Sequence, residues 1–241
     1  VEAANLATAI ANGKSYLTEK SAGLIVFDGL ALLIEATGDP AVGICHALAP
    51  FEHGLRVVMV NVKARALAGS MLVPEAAAVG VVYSLAWGDQ PALICEHVDW
   101  ARTCGFELVT AGKGTRYLPS YHQLTLQTVW EELEKYLVNA NRKMINPKMY
   151  NSFLDGTKSG IEMTAVCNAT GLTPQAGGPR FLPTSRFKVA EVLKPAAAAG
   201  GVTNAGTTKV TSSLTCDGGP AYHHLAMDTF VVIYGERGYV R

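Results

Sequence analysis

A lysine and an aspartate lie three residues apart in a stretch, 152–169, that the apolar pattern predicts to be one helix. At this spacing Asp155 and Lys158 share a helix face, and Asn151 lies four residues before Asp155. One interpretation is an exposed ion pair, which contributes little to stability. The other is a pair held among apolar neighbours, in which the lysine donates a proton to a carbonyl group that is being reduced. The apolar residues of this stretch favour the second interpretation.

A second lysine, Lys113, follows a predicted strand and is flanked by Gly112 and Gly114. Glycines let a backbone approach a ligand closely, and a flexible glycine loop with one cation suits a phosphate group or a developing oxyanion. The alternative is a solvated lysine on the surface. We therefore count Lys113, with Lys158 and Asp155, among the candidate catalytic residues.

Small and polar residues also follow two other predicted strands. Ala36, Thr37 and Gly38 come after the first, and Asn61 ends the second. Ligands of open α/β sheets bind at the carboxyl ends of the strands. The sequence thus predicts that these four residues, together with Gly112, line a cofactor, while ordinary tight turns are the alternative.

Four further residues are candidates for binding the substrate: Asp89, His122, Lys148 and Asn151. Asp89 precedes a predicted helix, and its alternative role is to cap that helix. His122 lies in a loop that follows Lys113, where a purely structural histidine is the alternative.

The elements that would position these residues alternate between strand and helix. Strands are predicted at 30–36, 56–61, 80–84 and 105–111, and helices at 41–53, 74–78 and 90–101. This alternation predicts βαβ units and a parallel sheet whose strands are buried on both faces. Later strands at 202–214 and 228–234 are predicted to be hairpin partners joined by a turn at 217–219.

The predicted fold class is therefore α/β, in two parts. Residues 1–115 form a partial Rossmann-type parallel sheet that binds a dinucleotide. Residues 116–241 form an α+β substrate domain with a mixed sheet, which is incomplete at its C-terminus. The transition is placed where the composition changes after residue 115.

Composition narrows the classes of partner. The 241 residues are 49% apolar and 17% charged, with 20 basic and 20 acidic side chains and no basic run, which argues against nucleic acid and anionic membranes. The longest apolar stretch is interrupted by charge, and no signal peptide is visible, so we expect a cytoplasmic protein with a small-molecule substrate. Five scattered cysteines lack the spacing of metal ligands, so no metal site is predicted. Whether the protein forms a homo-oligomer is left open.

Five segments resemble one family of enzymes. They are 34–40, 58–62, 83–92, 111–117 and 146–158. They are similar to the homoserine-dehydrogenase-like, SAF-domain oxidoreductases, which include the enzymes like 1-deoxy-D-xylulose 5-phosphate reductoisomerase (DXR-like). One departure is that Lys63-Ala64-Arg65 stands where the family pattern has Glu-Ala-Asp.

The resemblance implies an NADPH-dependent reduction, with NADH as the alternative cofactor. In DXR-like members it implies reduction and rearrangement of a ketose phosphate in isoprenoid biosynthesis. By analogy with homoserine dehydrogenases, Lys158 would match the catalytic lysine and Asp155 a carboxylate on the substrate side. It further implies a glycine-rich phosphate-binding turn before Val1 and a C-terminal portion after Arg241.

Two other hypotheses stay open at this point. One is a homoserine-dehydrogenase-type reaction on an unphosphorylated aldehyde. The other, from a different class, is a non-catalytic fragment or scaffold, because a dinucleotide's pyrophosphate needs the helix N-terminus that follows such a turn.

Overall fold

The computed structural model describes residues 5–27, 29–135, 142–197, 201 and 203–235. Its strands are β1 (Leu32–Glu35), β2 (Arg56–Met59), β3 (Tyr83–Leu85), β4 (Glu107–Thr115), β5 (Leu182–Pro183), β6 (Thr207–Ser212) and β7 (Thr229–Tyr234). Its α-helices are α1 (Leu6–Ala11), α2 (Ser21–Ile25), α3 (Pro40–Glu52), α4 (Val62–Ala78), α5 (Gln90–Thr103), α6 (Val129–Leu133), α7 (Pro147–Leu154), α8 (Thr157–Thr170) and α9 (Val189–Val192). Short 3-10 helices lie at Pro119–Gln123 and Arg142–Met144. Within the described residues, no helix combines the length and apolar character needed to cross a membrane.

The first sheet is parallel, with the strands in the order β1-β2-β3. Helix α3 connects β1 to β2, and α4 connects β2 to β3. The first connection begins at Asp39, whose carboxylate accepts a hydrogen bond from the backbone amide of Val42 at 2.9 Å, while Pro40 stands in the first turn. The predicted βαβ units are confirmed for these three strands.

Two features of this layer differ from the prediction. Both helices pack on the same face of the sheet, so β1 is buried on one face only, and Leu32 and Ile34 are 43% and 63% exposed. Helix α4 is also longer than the stretch 74–78 predicted for it. It begins at Val62 because the side chain of Asn61 caps it, and it runs through Pro74.

The second sheet has the order β5-β6-β4-β7. Strand β4 pairs in parallel with β6 and antiparallel with β7, so the predicted mixed sheet is confirmed. Two expectations are wrong, however. The fourth predicted strand, β4, belongs to this sheet and not to the first one. The strands β6 and β7 are not hairpin partners, because β4 lies between them.

Glycines make this central position of β4 possible. A Cβ on Gly112 would lie 1.9 Å from the carbonyl oxygen of Lys209 on β6, and one on Gly114 would lie 1.9 Å from that of Leu225. These distances are far below van der Waals contact, so only glycine lets the neighbouring backbones approach this closely. The glycines around Lys113 thus serve the packing of the sheet and do not form a flexible loop.

Helices α5 and α8 cover one face of the second sheet, and α4 packs against α8. The core between these helices and the sheet contains Ile94, Val98, Ala111, Met163, Val166, Leu172, Phe181 and Val210. Helix α8 therefore lies between the layers of the two sheets. The division of the chain at residue 115 stays a prediction, and β4, which precedes that point, contributes to the second sheet.

Candidate active site

Lys113 lies in the interior of β4 and is buried there. The residue is 5% exposed, and its ammonium group donates hydrogen bonds to the side-chain oxygen of Gln90 and to Oε2 of Glu162. Glu162 comes from α8 and is 2% exposed. The predicted surface loop around Lys113 is therefore wrong, because β4 continues to Thr115 and α5 and α8 cover the lysine.

Lys158 binds the same glutamate from one helical turn earlier. Its Nζ lies 3.2 Å from Oε1 of Glu162, and its side chain is 28% exposed. The two oxygens of one buried carboxylate thus hold two ammonium groups. We call Lys113, Lys158 and Glu162 the Lys-Glu cluster. It carries two positive charges and one negative charge, so it has a formal excess of one positive charge.

Sequence reasoning identified both lysines of this cluster but not the glutamate. The signal was present, because Glu162 follows Lys158 by four residues, a spacing at which opposite charges on a helix attract each other. Glu162 also lies between Ile161 and Met163, and a carboxylate in such an apolar segment is buried only when it is paired.

The predicted pairing of Lys158 with Asp155 is wrong. Residues 152–169 do not form one helix, because α7 ends at Leu154 and α8 begins at Thr157. Gly156 separates them with a φ of +90°, a conformation that favours glycine, and a Cβ there would lie 2.8 Å from the ring of Phe181. The break turns Asp155 away from the face that carries Lys158.

Asp155 instead holds the junction between the two helices. Its carboxylate accepts a hydrogen bond from the backbone amide of Thr157 at 2.8 Å and another from the side chain of Asn151 at 3.0 Å. Its carbonyl oxygen lies 2.9 Å from Nδ1 of His122. Three predicted site residues thus meet here, and they fix the position at which α8 begins. Lys148 is exposed in the first turn of α7, and no side-chain contact joins it to them.

Asp89 lies beside the Lys-Glu cluster at the N-terminus of α5. It caps the helix by accepting a hydrogen bond from the backbone amide of Gln90 at 3.0 Å. Burial raises the pKa of the Asp89 carboxyl above its ordinary value of 3.8, and the charge of Glu162 raises it further. Lys158 and Lys113 act in the opposite direction. These influences show that the carboxyl group is within electrostatic range of the whole cluster.

The raised pKa of Asp89 predicts a pH-dependent gain in stability on its replacement. The folded state binds the proton of the Asp89 carboxyl more tightly than the unfolded chain does. Protonated Asp89 therefore stabilises the fold fully below pH 3.8, and this stabilisation is lost as the pH rises through the folded pKa. Asn caps helices as well as Asp does. Asp89→Asn is therefore expected to raise the free energy of unfolding near pH 7, with a difference that shrinks toward pH 3.8. Urea denaturation across this range measures it.

The exposed Asp99 on the same helix provides the matched control. Asp99→Asn is expected to leave the free energy of unfolding near its original value at every pH. A lower free energy for Asp89→Asn at pH 7 would show that the lysines stabilise the Asp89 carboxylate by more than burial destabilises it.

A cavity of about 280 Å³ opens beside Lys113. Gln90, Lys113 and Arg116 line it on the polar side, and most of its remaining wall is apolar, including Phe153 and Leu154. We call it the Lys113 cavity. Its volume is slightly below the roughly 300–1,000 Å³ of small-molecule sites, and a few polar groups on an apolar wall are typical of them.

The predicted cofactor residues lie at the carboxyl edge of the first sheet. The backbone amide of Thr37 donates a hydrogen bond of 3.0 Å to the carboxylate of the buried Glu35, and the side-chain amide of Asn61 donates one of 2.7 Å to the carbonyl oxygen of Asp39. The structure thus brings the ends of β1 and β2 together as predicted. Asn61 thus connects the end of β2 to the loop after β1, whereas Thr37 bonds within its own loop, and Ala36 and Gly38 are exposed there. Gly112 is not at this edge.

An apolar groove of about 580 Å³ runs along α4 and α8 next to this edge. Pro40 and Lys63, which follow β1 and β2, lie on one side of it, and Thr157, Gly160 and Ile161 of α8 lie on the other. We call it the α4–α8 groove. Thr157 and Ile161 directly precede Lys158 and Glu162, so α8 carries the Lys-Glu cluster and one wall of the groove. Among the described residues, no three His, Cys, Asp or Glu side chains group to bind a metal ion.

Comparison with known proteins identifies the family. The family model of oxidoreductase DRL, catalytic domain, matches residues 88–241. The chain belongs to this family. The match includes Asp89, Lys113, Lys158 and Glu162, so the charged site of the DRL-family chain lies within the catalytic domain. The prediction of an oxidoreductase is confirmed at the level of the family, whereas a DXR-like or homoserine-dehydrogenase-like specificity stays a prediction.

Solved structures show weaker likenesses to this DRL-family chain. A proposed oxidoreductase from Bacillus subtilis, YvaA, aligns with a TM-score of 0.32 and 18% identity, over 53% of this chain and 41% of that one. A proposed dehydrogenase from Thermotoga maritima aligns with a TM-score of 0.31 and 9% identity, over 49% of this chain and 38% of that one. The aligned part is less than half the length of each of these two solved proteins. TM-scores this low support no functional argument. No protein of curated function matches the sequence significantly.

Proposed function

We propose that this chain belongs to a nicotinamide-dependent reductase that adds hydride to the carbonyl carbon of a small substrate. The observation that carries the proposal is the Lys-Glu cluster, in which one buried glutamate holds two lysines beside a cavity. A carbonyl oxygen gains negative charge as hydride arrives, and an ammonium group fixed in a desolvated site stabilises it.

Lys113 is positioned to bind that oxygen. An ammonium group has three N–H donors, and Lys113 uses two of them on Gln90 and Glu162. Since Lys113 also lines the Lys113 cavity, its third donor can reach a carbonyl oxygen placed there. Glu162 acts as a positioning residue, because its two oxygens fix both ammonium groups. Lys158 is more exposed than Lys113, so it exchanges protons with solvent more readily and is our candidate for replenishing the donated proton.

The cofactor is proposed to lie in the α4–α8 groove. A nicotinamide, when bound, supplies the hydride. The groove fits a flat ring, because its wall is largely apolar and a Cβ built on Gly160 would meet no atom within 4 Å. Lys63 lines the groove, and its ammonium group is proposed to bind a phosphate of the dinucleotide. NADPH is the proposed form, and NADH is the alternative.

Filling the groove at Gly160 is expected to weaken cofactor binding. The Cβ of Gly160→Phe would meet no atom within 4 Å and Gly160 lines the groove, so the fold should persist while the ring occupies the volume proposed for the nicotinamide. We expect the Kd for NADPH to rise at least about tenfold, which corresponds to about 1.4 kcal/mol. Quenching of tryptophan fluorescence during titration with NADPH measures it. Gly160→Ala, the matched control, should bind NADPH nearly as well as the original chain, and equal binding by both variants would place the cofactor elsewhere.

The substrate is proposed to be a small ketose phosphate, such as 1-deoxy-D-xylulose 5-phosphate, which is rearranged as well as reduced. Arg116 on the wall of the Lys113 cavity favours a substrate with an anionic group, and the apolar wall around Phe153 favours a short carbon chain. The resemblance to DXR-like enzymes supports the same choice. An unphosphorylated aldehyde, as in a homoserine-dehydrogenase-type reaction, is the second candidate. The Lys-Glu cluster would stabilise its carbonyl oxygen equally well.

A substrate series tests this assignment. Oxidation of NADPH and of NADH is followed with matched carbonyl compounds that carry or lack a phosphate group. A ratio of kcat/KM of at least about 100 in favour of the phosphorylated member would support the ketose phosphate, since a charge-assisted contact contributes about 1.5–3 kcal/mol. Preference for the unphosphorylated aldehyde would support the second candidate. Failure to bind either nucleotide would favour the non-catalytic fragment.

A further inference from the structure

A third buried lysine, Lys209, lies on the face of the second sheet opposite to the Lys-Glu cluster. Lys209 pairs with Gly112 across the strands β6 and β4, and its neighbour Val210 pairs with Lys113. Successive residues of a strand point to opposite faces. Thr208 and Val210 contact the side of α8 and its core, so Lys209 points away from it.

The burial of Lys209 is unusual because no acidic group compensates its charge. The residue is 6% exposed, yet no acidic side chain among the described residues lies within ion-pair distance of its ammonium group. The two segments beside it, 173–180 and 203–209, contain no Asp or Glu at all. Buried lysines are almost always paired. The expected partner is therefore missing from this part of the protein.

A second cation adds to the imbalance. Burial lowers the pKa of Lys209 below its ordinary value of 10.5, and the positive charge of Arg180 lowers it further. Lys209 is buried whereas Arg180 is exposed, and like charges that line one cavity repel each other. An anion between them would turn this repulsion into two attractions.

The space for such an anion exists. Lys209 and Arg180 line a cavity of about 50 Å³, together with Gln175, Ala176, Asn204 and Thr207. We call it the Lys209 cavity. The side-chain amides of Gln175 and Asn204 add N–H donors to this lining. The volume exceeds the roughly 10–15 Å³ that one water needs in such a cavity, and it leaves room for one tetrahedral group.

We propose that the Lys209 cavity binds a tetrahedral oxyanion of the phosphate class, either as free inorganic phosphate or as the phosphate group of a small metabolite. Lys209 supplies a positive charge, and the planar guanidinium group of Arg180 supplies a pair of N–H donors. The side-chain amides of Gln175 and Asn204 supply the remaining donors. The site is separate from the Lys-Glu cluster, since the sheet lies between them. It goes beyond the proposed function, because the carbonyl substrate lies on the other face.

Calorimetric titration of the chain tests this site with three probes: inorganic phosphate, glycerol phosphate and acetate. We expect saturable binding of the first two and at least tenfold weaker binding of acetate. Lys209→Met should weaken the binding of both phosphate compounds at least tenfold, and Arg180→Gln should do so less strongly. The exposed Lys188 gives the control variant Lys188→Met, which should bind as the original chain does. Tighter binding of glycerol phosphate than of inorganic phosphate would identify a metabolite as the source.

Thermal unfolding provides the second measurement and guards against misfolding. Without phosphate, Lys209→Met should unfold at the same or a higher temperature than the original chain, because it lacks a buried charge. Phosphate should raise the Tm of the original chain and of Lys188→Met, but not that of Lys209→Met. Equal phosphate binding by Lys209→Met, or no binding of either phosphate compound by the original chain, would overturn the proposal. Neither result depends on whether the chain reduces a carbonyl substrate.

Discussion

Lys113→Met is expected to lower kcat by about 1000-fold while leaving the Kd for NADPH unchanged, because a general acid contributes about 100- to 10,000-fold and an oxyanion donor about 100- to 1000-fold. Methionine keeps the length and the apolar stem of lysine but supplies no N–H donor to the carbonyl oxygen. Binding of NADPH should persist, since Lys113 lines the Lys113 cavity and not the α4–α8 groove. Single-turnover oxidation of NADPH, together with fluorescence titration of the cofactor, separates the two effects.

The control for this variant is Lys188→Met, which removes an exposed lysine far along the chain from the cluster. Its kcat should stay within about twofold of the original value, since changes away from functional groups have small effects. A loss of kcat below tenfold for Lys113→Met would mean that another group binds the oxygen. Equal losses of kcat and of NADPH affinity would mean that the cluster holds the cofactor.

Glu162→Leu is expected to lower the free energy of unfolding by about 3–5 kcal/mol, the cost of leaving a buried charge without its partner. Lys113 bears most of this cost, because its side chain is 6% exposed, whereas Lys158 is 28% exposed and can turn to solvent. The activity should fall as well, since neither ammonium group is held in place. Urea denaturation measures the stability, and single-turnover kinetics measure the activity.

The double variant Glu162→Leu with Lys113→Met distinguishes this electrostatic effect from a packing defect. Replacing both members of a buried ion pair by apolar residues of similar size is often neutral. The double variant should therefore recover most of the lost stability but none of the lost activity. Equal destabilisation of the single and the double variant would show that the cost comes from packing around Leu at position 162 and not from an uncompensated lysine.

The sequence allowed the first sheet to be predicted because its pattern is local. Each apolar strand of the βαβ units is followed by its own helix, and Asp39 and Asn61 cap those helices within three residues. The membership of β4 could not be predicted in this way. Its apolar run looks like the earlier ones, but its partner β6 lies about 100 residues later in the chain. Such long-range pairing depends on the close approach at Gly112, which no local pattern shows.

The candidate site was predicted in part for a similar reason. Lys113 and Lys158 stood out because charged residues are rare in the segments that carry them. Their partner was misidentified, because a helical pattern that runs across Gly156 places Asp155 beside Lys158. The left-handed conformation at Gly156 ends that pattern and leaves Glu162 as the shared carboxylate. The burial of Glu162 depends on α5 and β4 packing on α8, and this is a tertiary effect.

Transfer of deuterium tests the central claim, that the Lys-Glu cluster assists hydride addition to a carbonyl group. The chain is mixed with NADPH that carries deuterium at its reactive carbon and with a small ketose phosphate, and mass spectrometry follows the label in the product. The account predicts labelled alcohol from the original chain and transfer about 1000-fold slower in Lys113→Met, with NADPH bound equally by both. The account would be contradicted if transfer were as fast in Lys113→Met as in the original chain. It would also be contradicted if bound NADPH transferred deuterium to no carbonyl compound, phosphorylated or unphosphorylated.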